Sequence, residues 1–398
     1  MHPMIVLHEG KEFSPKNGHP WIFSGALADV PDLAKTGDIV RVIAHDGSFI
    51  GVGTFSKTSS ISVRIFTRQD RELDAAFIKE RLTSAHARRQ LLPYGIDETT
   101  TGYRLIFGES DGLPGIIIDR YSDVFVIQTA TLGASNLLPL ITQALIELFT
   151  PRSIVEKSDS PVRKEDALKN EYRVLHGEDV TTVNFKELNL HCIADIKNGQ
   201  KTGYFLDQKD LRLALRNFAH GNILNIFSYT GATTLNALLS PQATIATNVD
   251  ASQEALDQCL EHARKNGIKE ERMQIVCEDA FQYLSNPDVG QFETVIIDPP
   301  ALIKSSKDAT EGKKAYHFLN RAALRKVKDG GIFVTSSCSR QFAEDEFLGT
   351  LRKAATQNNQ TLHILAAIRQ ATDHPFSVNF PEAAYLKSFI CRVENNIS

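Results

Sequence analysis

The stretch Asn222-Ile223-Leu224-Asn225-Ile226-Phe227-Ser228-Tyr229-Thr230-Gly231-Ala232 decides the fold. An apolar strand over 223–227 runs into a turn of small residues, and a helical pattern follows near 232–239. Outward from it the alternation repeats, with strands over 244–249, 274–277, 294–297 and 331–336 and helices over 252–266 and 314–328. Apolar strands alternating with helices predict a parallel, doubly wound α/β sheet from about residue 190 onward.

Such sheets bind ligands in the crevice at the strand C-termini. Gly231 lets the backbone approach a ligand closely. The three-glycine dinucleotide fingerprint and the Walker A loop are both missing, which disfavours NAD, FAD and ATP. Asp250 closes the next strand, where an acid suits ribose hydroxyls. The third strand ends at Cys277-Glu278-Asp279-Ala280, where an acid can reach an adenine amino group. One glycine and two acids at successive strand ends suit a nucleoside-type ligand without a pyrophosphate, and S-adenosylmethionine fits. The alternative is that Asp250 and Asp279 are ordinary helix N-caps.

Two further motifs fall on the same rim, Asp298-Pro299-Pro300 after the fourth strand and Ser336-Ser337-Cys338-Ser339 after the fifth. Consecutive prolines stiffen the backbone and fix where Asp298 points. Of the five cysteines, Cys192, Cys259, Cys277 and Cys391 sit in helices or beside apolar strands, as packed thiols do. Cys338 stands where a strand opens into a loop, a place for a nucleophile or for one more structural thiol.

Upstream, strands over 4–7, 39–44, 49–55 and 61–66 between glycine turns suggest a small barrel or sandwich. A helix at 74–92, strands at 113–121 and 123–129, a helix at 135–149 and a strand at 153–157 then make an α+β region. The composition, 42% hydrophobic and 23% charged over 398 residues, is that of a globular chain of several domains. No apolar run approaches the roughly 20 residues of a membrane span. The start shows no signal-peptide pattern, and the odd, scattered cysteines argue against a disulfide framework or a zinc site. A reduced, cytoplasmic protein without a metal is expected.

The net charge of −4 hides segregation. Residues 57–92 carry eight Lys/Arg against four acids, and residues 304–328 carry eight against Asp308 and Glu311. Screening confines each patch to about 10 Å, so either can hold phosphates, and either can be a solvated helix face.

The strings NIFSYTGA, VDASQEAL, IIDPPAL and SSCS, with Lys201 through Gln208 (KTGYFLDQ), Asp373-His374-Pro375 and 380–387 (FPEAAYLK), resemble one family. It is the class I S-adenosylmethionine-dependent RNA methyltransferases that make 5-methylcytosine in large-subunit (23S) rRNA and carry an N-terminal PUA domain. Residues 18–25 (GHPWIFSG) resemble its PUA signature; YRLI at 103–106, ESDGLPG at 109–115 and SDSPVRK at 158–164 resemble its central region. The resemblance implies a PUA-like RNA-binding domain over 1–70, a central α+β domain over 71–188 and a Rossmann-like methyltransferase domain over 189–398.

The resemblance also implies roles. Cys338 would be the nucleophile that adds to carbon 6 of cytosine, and Asp298 would hydrogen-bond the ring nitrogen. Pro299 and Pro300 would shape the base pocket. Phe205, Asp207 and Gln208 would cap S-adenosylmethionine, with Phe227, Ser228, Tyr229 and Gly231 along its methionine end. Asp250 with Ala251 would take the ribose, Asp279 with Ala280 the adenine, and Asp298 would also border the cofactor. Ala301 follows Pro300 where many RNA cytosine-5 methyltransferases carry a second cysteine, which leaves Asp298 as the candidate base for elimination. The expected partner is rRNA, with base stacking on Trp21, Phe23 or Tyr103; no membrane is expected, and a homodimer is allowed. Rival readings are an amino-methyltransferase acting on a purine, a tRNA or small-subunit rRNA substrate, and a non-catalytic RNA-binding assembly factor. The first gives Cys338 no role.

Overall fold

The computed structural model describes residues 2–303 and 305–396, so Lys304 of the second basic segment lies outside the described residues. The chain forms two compact units. The first runs to Asn189 and adds Ile193–Leu206 and Thr372–Ala383; the second takes Leu190–Cys192, Asp207–Ala371 and the chain from Ala384.

The first unit opens with β1 (Met4–Leu7), β2 (Trp21–Phe23), β3 (Leu27–Asp29), β4 (Ile39–Ile43), β5 (Phe49–Phe55) and β6 (Ile61–Thr67). They form one sheet in the order β2-β6-β5-β4-β1-β3, closed over Ile5, Val40, Val42, Val63 and Ile65. Next come β7 (Gly102–Phe107), β8 (Ile116–Tyr121), β9 (Val124–Thr129), β10 (Ser153–Ser158) and β11 (Glu171–Gly177), ordered β11-β10-β9-β8-β7. Helices Ala75–Gln90 and Leu138–Phe149 bury Phe77, Leu82, Ile141 and Leu145 in the core of this second sheet. The single helix expected over 135–149 is two, Leu132–Asn136 and Leu138–Phe149. Pro139 has no N–H to continue a helix and is suited to start one. Strands β12 (Thr182–Glu187) and β13 (Leu190–Asp195) pair with each other.

The second unit is a seven-stranded sheet built from β14 (Gly221–Ile226), β15 (Ala243–Asp250), β16 (Met273–Cys277), β17 (Phe292–Ile297), β18 (Val327–Ser337), β19 (Gln360–Ile368) and β20 (Lys387–Asn395). Its order is β16-β15-β14-β17-β18-β20-β19. The first five are parallel as expected, but β20 slots between β18 and β19 antiparallel to both, so the sheet is mixed. The chain steps outward from β14 to β16, then crosses to β17 on the other side of β14. That reversal opens a crevice at the β14/β17 strand ends.

The helix expected over 314–328 is Ala309–Leu324, and β18 already begins at Val327. Lys326 and Lys328 read as a helix face. In the structure Lys326 is buried and donates to the Asn286 and Val289 carbonyls, while Lys328 pairs with Glu293. Behind the sheet, Tyr316, Leu319, Phe347 and Leu351 pack with Val295, Phe333 and Phe389 in one core, each large side chain contributing about 1.5–3 kcal/mol. Among the described residues no helix is long and apolar enough to cross a membrane.

Candidate active site at the strand ends

The parallel registers Ile226↔Val249, Ile226↔Ile297, Ile297↔Thr335 and Asp250↔Cys277 set five strand ends along one rim. Phe227, Asp250, Asp279, Asp298 and Cys338 therefore all leave the sheet on the same side.

The turn after β14 is strained. Phe227 and Tyr229 hold φ of 61° and 47°, a region where side-chain-bearing residues cost about 1–3 kcal/mol each. Several hydrogen bonds retain it: Ser228 N–H donates to the Val249 carbonyl, Gly231 N–H to the Ser228 carbonyl, and Tyr229 N–H to Asp250 Oδ2 at 2.8 Å. Gly231 is required twice over. Its φ is 73°, and a Cβ there would lie 2.2 Å from Cys259 Sγ, so its hydrogen lets helix Gln253–Lys265 close in. Burial in that contact pushes the Cys259 thiol up to about 12.

The two acids differ. Asp250 accepts from Tyr229 N–H and Ser252 N–H and caps no helix; Ser252 caps the one that follows. Each carboxylate oxygen keeps acceptor capacity for a ligand hydroxyl. Asp279 is the N-cap of helix Ala280–Ser285, with Oδ1 taking the Phe281 and Gln282 N–H groups, so the capping alternative describes it. Ala251 is exposed and Ala280 buried beside them.

Asp298 follows β17, its N–H on the Ile226 carbonyl and its Oδ2 accepting from Gln208 Nε2 at 2.8 Å. Pro299 is buried and Pro300 exposed. Buried Asp207 accepts from the Tyr385 hydroxyl through its side chain and from Ala371 N–H through its carbonyl. Gln208 Oε1 and Ser228 Oγ are buried with no hydrogen-bond partner, an arrangement that suits a ligand bearing donors such as an α-ammonium. Phe205 belongs to the first unit, where Lys201 Nζ lies 4.4 Å from its ring.

Cys338 is half-buried, and its neighbours are held from three sides. The Tyr316 hydroxyl accepts from Ser337 Oγ and meets Ser339 Oγ at 3.1 Å, gripping the residues before and after the cysteine. Ser339 Oγ takes the Ile303 N–H, tying in the loop that follows Pro299-Pro300. Lys387, across the sheet from Ser337, donates to the Ser339 and Phe342 carbonyls at 2.8 and 2.6 Å. Burial lowers the Lys387 pKa, while interaction with Cys338 and Glu344 opposes that lowering. Sequence reasoning gave Tyr316 and Lys387 no role. Lys387 lies in the 380–387 string, but its pairing with the Cys338 loop depends on the insertion of β20.

Other expectations change. Cys277 is exposed, with Sγ near the Ala251 carbonyl, and is not a packed thiol. Tyr103 is fully buried, its hydroxyl toward His86 and Arg120, and has no face for a base. Trp21 donates Nε1–H to Glu109 at 2.7 Å and packs edge-on against Phe380, which leaves half-exposed Phe23 as the stacking candidate. Among the described residues no group of three or more His, Cys, Asp or Glu side chains could hold a metal.

Comparison with known proteins adds the following. Residues 5–68 match a PUA-like domain, and residues 163–392 match the S-adenosylmethionine-dependent methyltransferase family. The chain is 36% identical to ribosomal RNA large subunit methyltransferase I of Alteromonas mediterranea over 401 residues, covering 100% of both. It is likewise 36% identical to the enzyme of that name from Klebsiella pneumoniae, covering 98% of both. A solved structure from Streptococcus mutans, described as a SAM-dependent methyltransferase, shares the fold at a TM-score of 0.82 and 22% identity, over 98% of this chain and 100% of that one.

Proposed function

Because the chain belongs to the S-adenosylmethionine-dependent methyltransferase family, we propose that it methylates carbon 5 of a cytosine in large-subunit ribosomal RNA through a covalent adduct of Cys338. The observation that carries this proposal is the rim thiol. Cys338 is the half-buried cysteine, between residues held by Tyr316 and Lys387 and two residues beyond the strand position level with Asp298.

Bound S-adenosylmethionine supplies a methyl group on a sulfonium, an electrophile. Asp207 and Gln208 would cap it, Phe227, Ser228, Tyr229 and Gly231 would line its methionine end, Asp250 and Ala251 would take the ribose, and Asp279 and Ala280 would take the adenine. The buried, unpartnered Ser228 Oγ and Gln208 Oε1 would receive the ammonium. Asp279 exchanges little for this, since its Oδ2 is not used by the cap.

Cytosine carbon 5 is a weak nucleophile. The Cys338 thiolate forms a bond to carbon 6, and the displaced double-bond pair becomes available at carbon 5. The protonated Asp298 carboxyl donates to ring nitrogen 3, passes its proton there as negative charge collects, and is left a carboxylate that can later act as base. Pro299 and Pro300 hold the base between Asp298 and the thiol. Once carbon 5 carries the methyl group, Asp298 removes its proton, the pair re-forms the ring double bond, and the bond from carbon 6 to Cys338 breaks. The target base must leave its stack to reach this rim. The PUA-like region, with Phe23 exposed, contributes RNA contacts.

Cys338→Ala should lower methyl transfer from labelled S-adenosylmethionine to rRNA by at least 10³-fold while cofactor affinity is unchanged. RNA carrying 5-fluorocytosine should give a covalent complex with the wild-type protein and none with the variant, because fluorine cannot leave as a proton. Full activity of Cys338→Ala, or label in a methylated purine, would refute the assignment.

A further inference from the structure

Helices Ala309–Leu324 and Glu344–Gln357 enclose a cavity of about 410 Å³ lined by Lys313, Lys314, His317, Glu346, Gly349, Thr350 and Lys353. Its chemistry is cationic. Three lysines and His317 line it against one acid, Glu346, which pairs with Lys313, while Lys314 pairs with Glu311 outside the lining. Lys353 is exposed, and the buried His317 Nε2 and Arg321 Nε have no hydrogen-bond partner. Burial lowers the His317 pKa and the charges of Lys353 and Arg321 push it the same way, against a hydrogen bond with Gln357. At Gly349 a Cβ would meet nothing within 4 Å, so one wall is open.

Placement gives the cavity meaning. The first helix follows Asp298 and the Pro-Pro loop, and the second begins six residues after Cys338, so both start at the catalytic rim. At 1.5 Å per residue, Lys314 lies about 8 Å and Lys353 about 14 Å along its helix, within reach of strand backbone beside an extruded base. Helix N-terminal turns favour anions, so Lys313 and Lys314 gain nothing there from the helix itself.

We propose that this cavity is a phosphate-binding site for the RNA strand next to the target nucleotide. The proposal rests on the RNA substrate inferred above. Lys314 and Lys353 reach the phosphate oxygens, and His317 of the lining, with Nε2 unpartnered, supplies a hydrogen bond between them.

The test measures binding of full-length protein to a large-subunit rRNA transcript across a salt series, together with methyl transfer and cofactor affinity. Lys314→Glu/Lys353→Glu should weaken RNA binding at least tenfold at 0.1 M salt. It should also flatten the plot of log affinity against log salt by about 1.4–1.8, the worth of two phosphate contacts. The milder Lys314→Ala/Lys353→Ala should move in the same direction, and cofactor affinity should hold. Lys79→Glu, an exposed charge reversal on helix Ala75–Gln90, should leave the slope unchanged. A wild-type slope in both double variants, or an equal change in Lys79→Glu, overturns the site. If the wild-type protein transfers no methyl group to rRNA while the slope still responds, the methylation proposal fails and the phosphate site stands.

Discussion

Residues 57–92 and 304–328 carry the same number of Lys and Arg, yet the fold treats them in opposite ways. In the first segment most of the charges are spoken for, with Arg81 Nε the buried donor left over. Asp111 is fully buried and takes both guanidinium nitrogens of Arg89 at 2.6 Å, Arg88 at 2.7 Å and the Phe107 N–H. Arg89 also donates to the carbonyls of Arg104 and Asp373. Arg64 lies buried beside Glu109, Arg68 serves the Pro15 and His19 carbonyls, and Arg71 and Lys79 pair with Glu80 and Glu147. In the second segment Lys326 and Lys328 are used the same way, but Lys313 and Lys314 border an open cavity beside the unpartnered His317 Nε2. A count of charges measures potential at best; what decides phosphate binding is which cations the fold has left without a full set of partners.

The sharpest way to break this contrast is Arg89→Met. It strands a buried carboxylate and should cost about 3–5 kcal/mol, read as a large fall in the unfolding midpoint of the first unit. The pH profile gives a second check. Burial pushes the Asp111 carboxyl up, but Arg89, Arg88 and the Phe107 N–H outweigh it and hold it below 3.8. A carboxyl lowered by folding contributes stability in full above its unfolded value and loses it as pH falls through the folded one. Wild-type protein should therefore weaken on acidification below about pH 4, and Arg89→Met should show a flatter acid limb. An unchanged midpoint would mean that the Asp111 cluster is not what Arg89 is for.

Arg88→Ala should cost less, about 1 kcal/mol, because Asp111 keeps its bidentate partner and Arg88 is nearly half exposed. The cysteines divide on similar lines. Burial holds Cys259 and Cys391 at about 12, so both stay thiols at pH 8, and iodoacetamide should label exposed Cys277 and half-buried Cys338 instead. Mass spectrometry after brief labelling reads this directly; early modification of Cys259 would show that the Gly231 contact opens.

Local signals made the rim legible. Short apolar strands ending in Gly231, Asp250, Asp279, Asp298 and Cys338 carry their own punctuation, and the parallel order of β14–β18 follows from it. What the sequence hides is long-range. Nothing near Arg89 announces Asp111, 22 residues away, or Asp373, 284 residues away. The Lys387 contacts with the Cys338 loop need β20 to insert beside β18, a pairing that no local pattern specifies. Tyr103 sits in an apolar run that reads equally as a stacking face or a core strand, and only the sheet chooses core. The helix drawn four residues too far, to 328, fails for a related reason: Lys326 looks solvated and is instead a buried donor to two carbonyls.

The smallest expected effect tests the other side of the contrast. Lys314 and Glu311 form an exposed pair, with side chains 69% and 77% accessible, and such pairs contribute between 0 and about 1 kcal/mol. At the roughly 0.2–0.5 kcal/mol of an i,i+3 pair, Lys314→Ala should leave the unfolding midpoint of the second unit within about 2 °C, while Arg89→Met moves the first unit by many degrees. If Lys314→Ala instead destabilised the fold as much as Arg88→Ala does, its charge would be committed to structure. The two basic segments would then differ only in degree. A silent Lys314→Ala leaves that ammonium available to something outside the chain, which is the condition a phosphate contact requires.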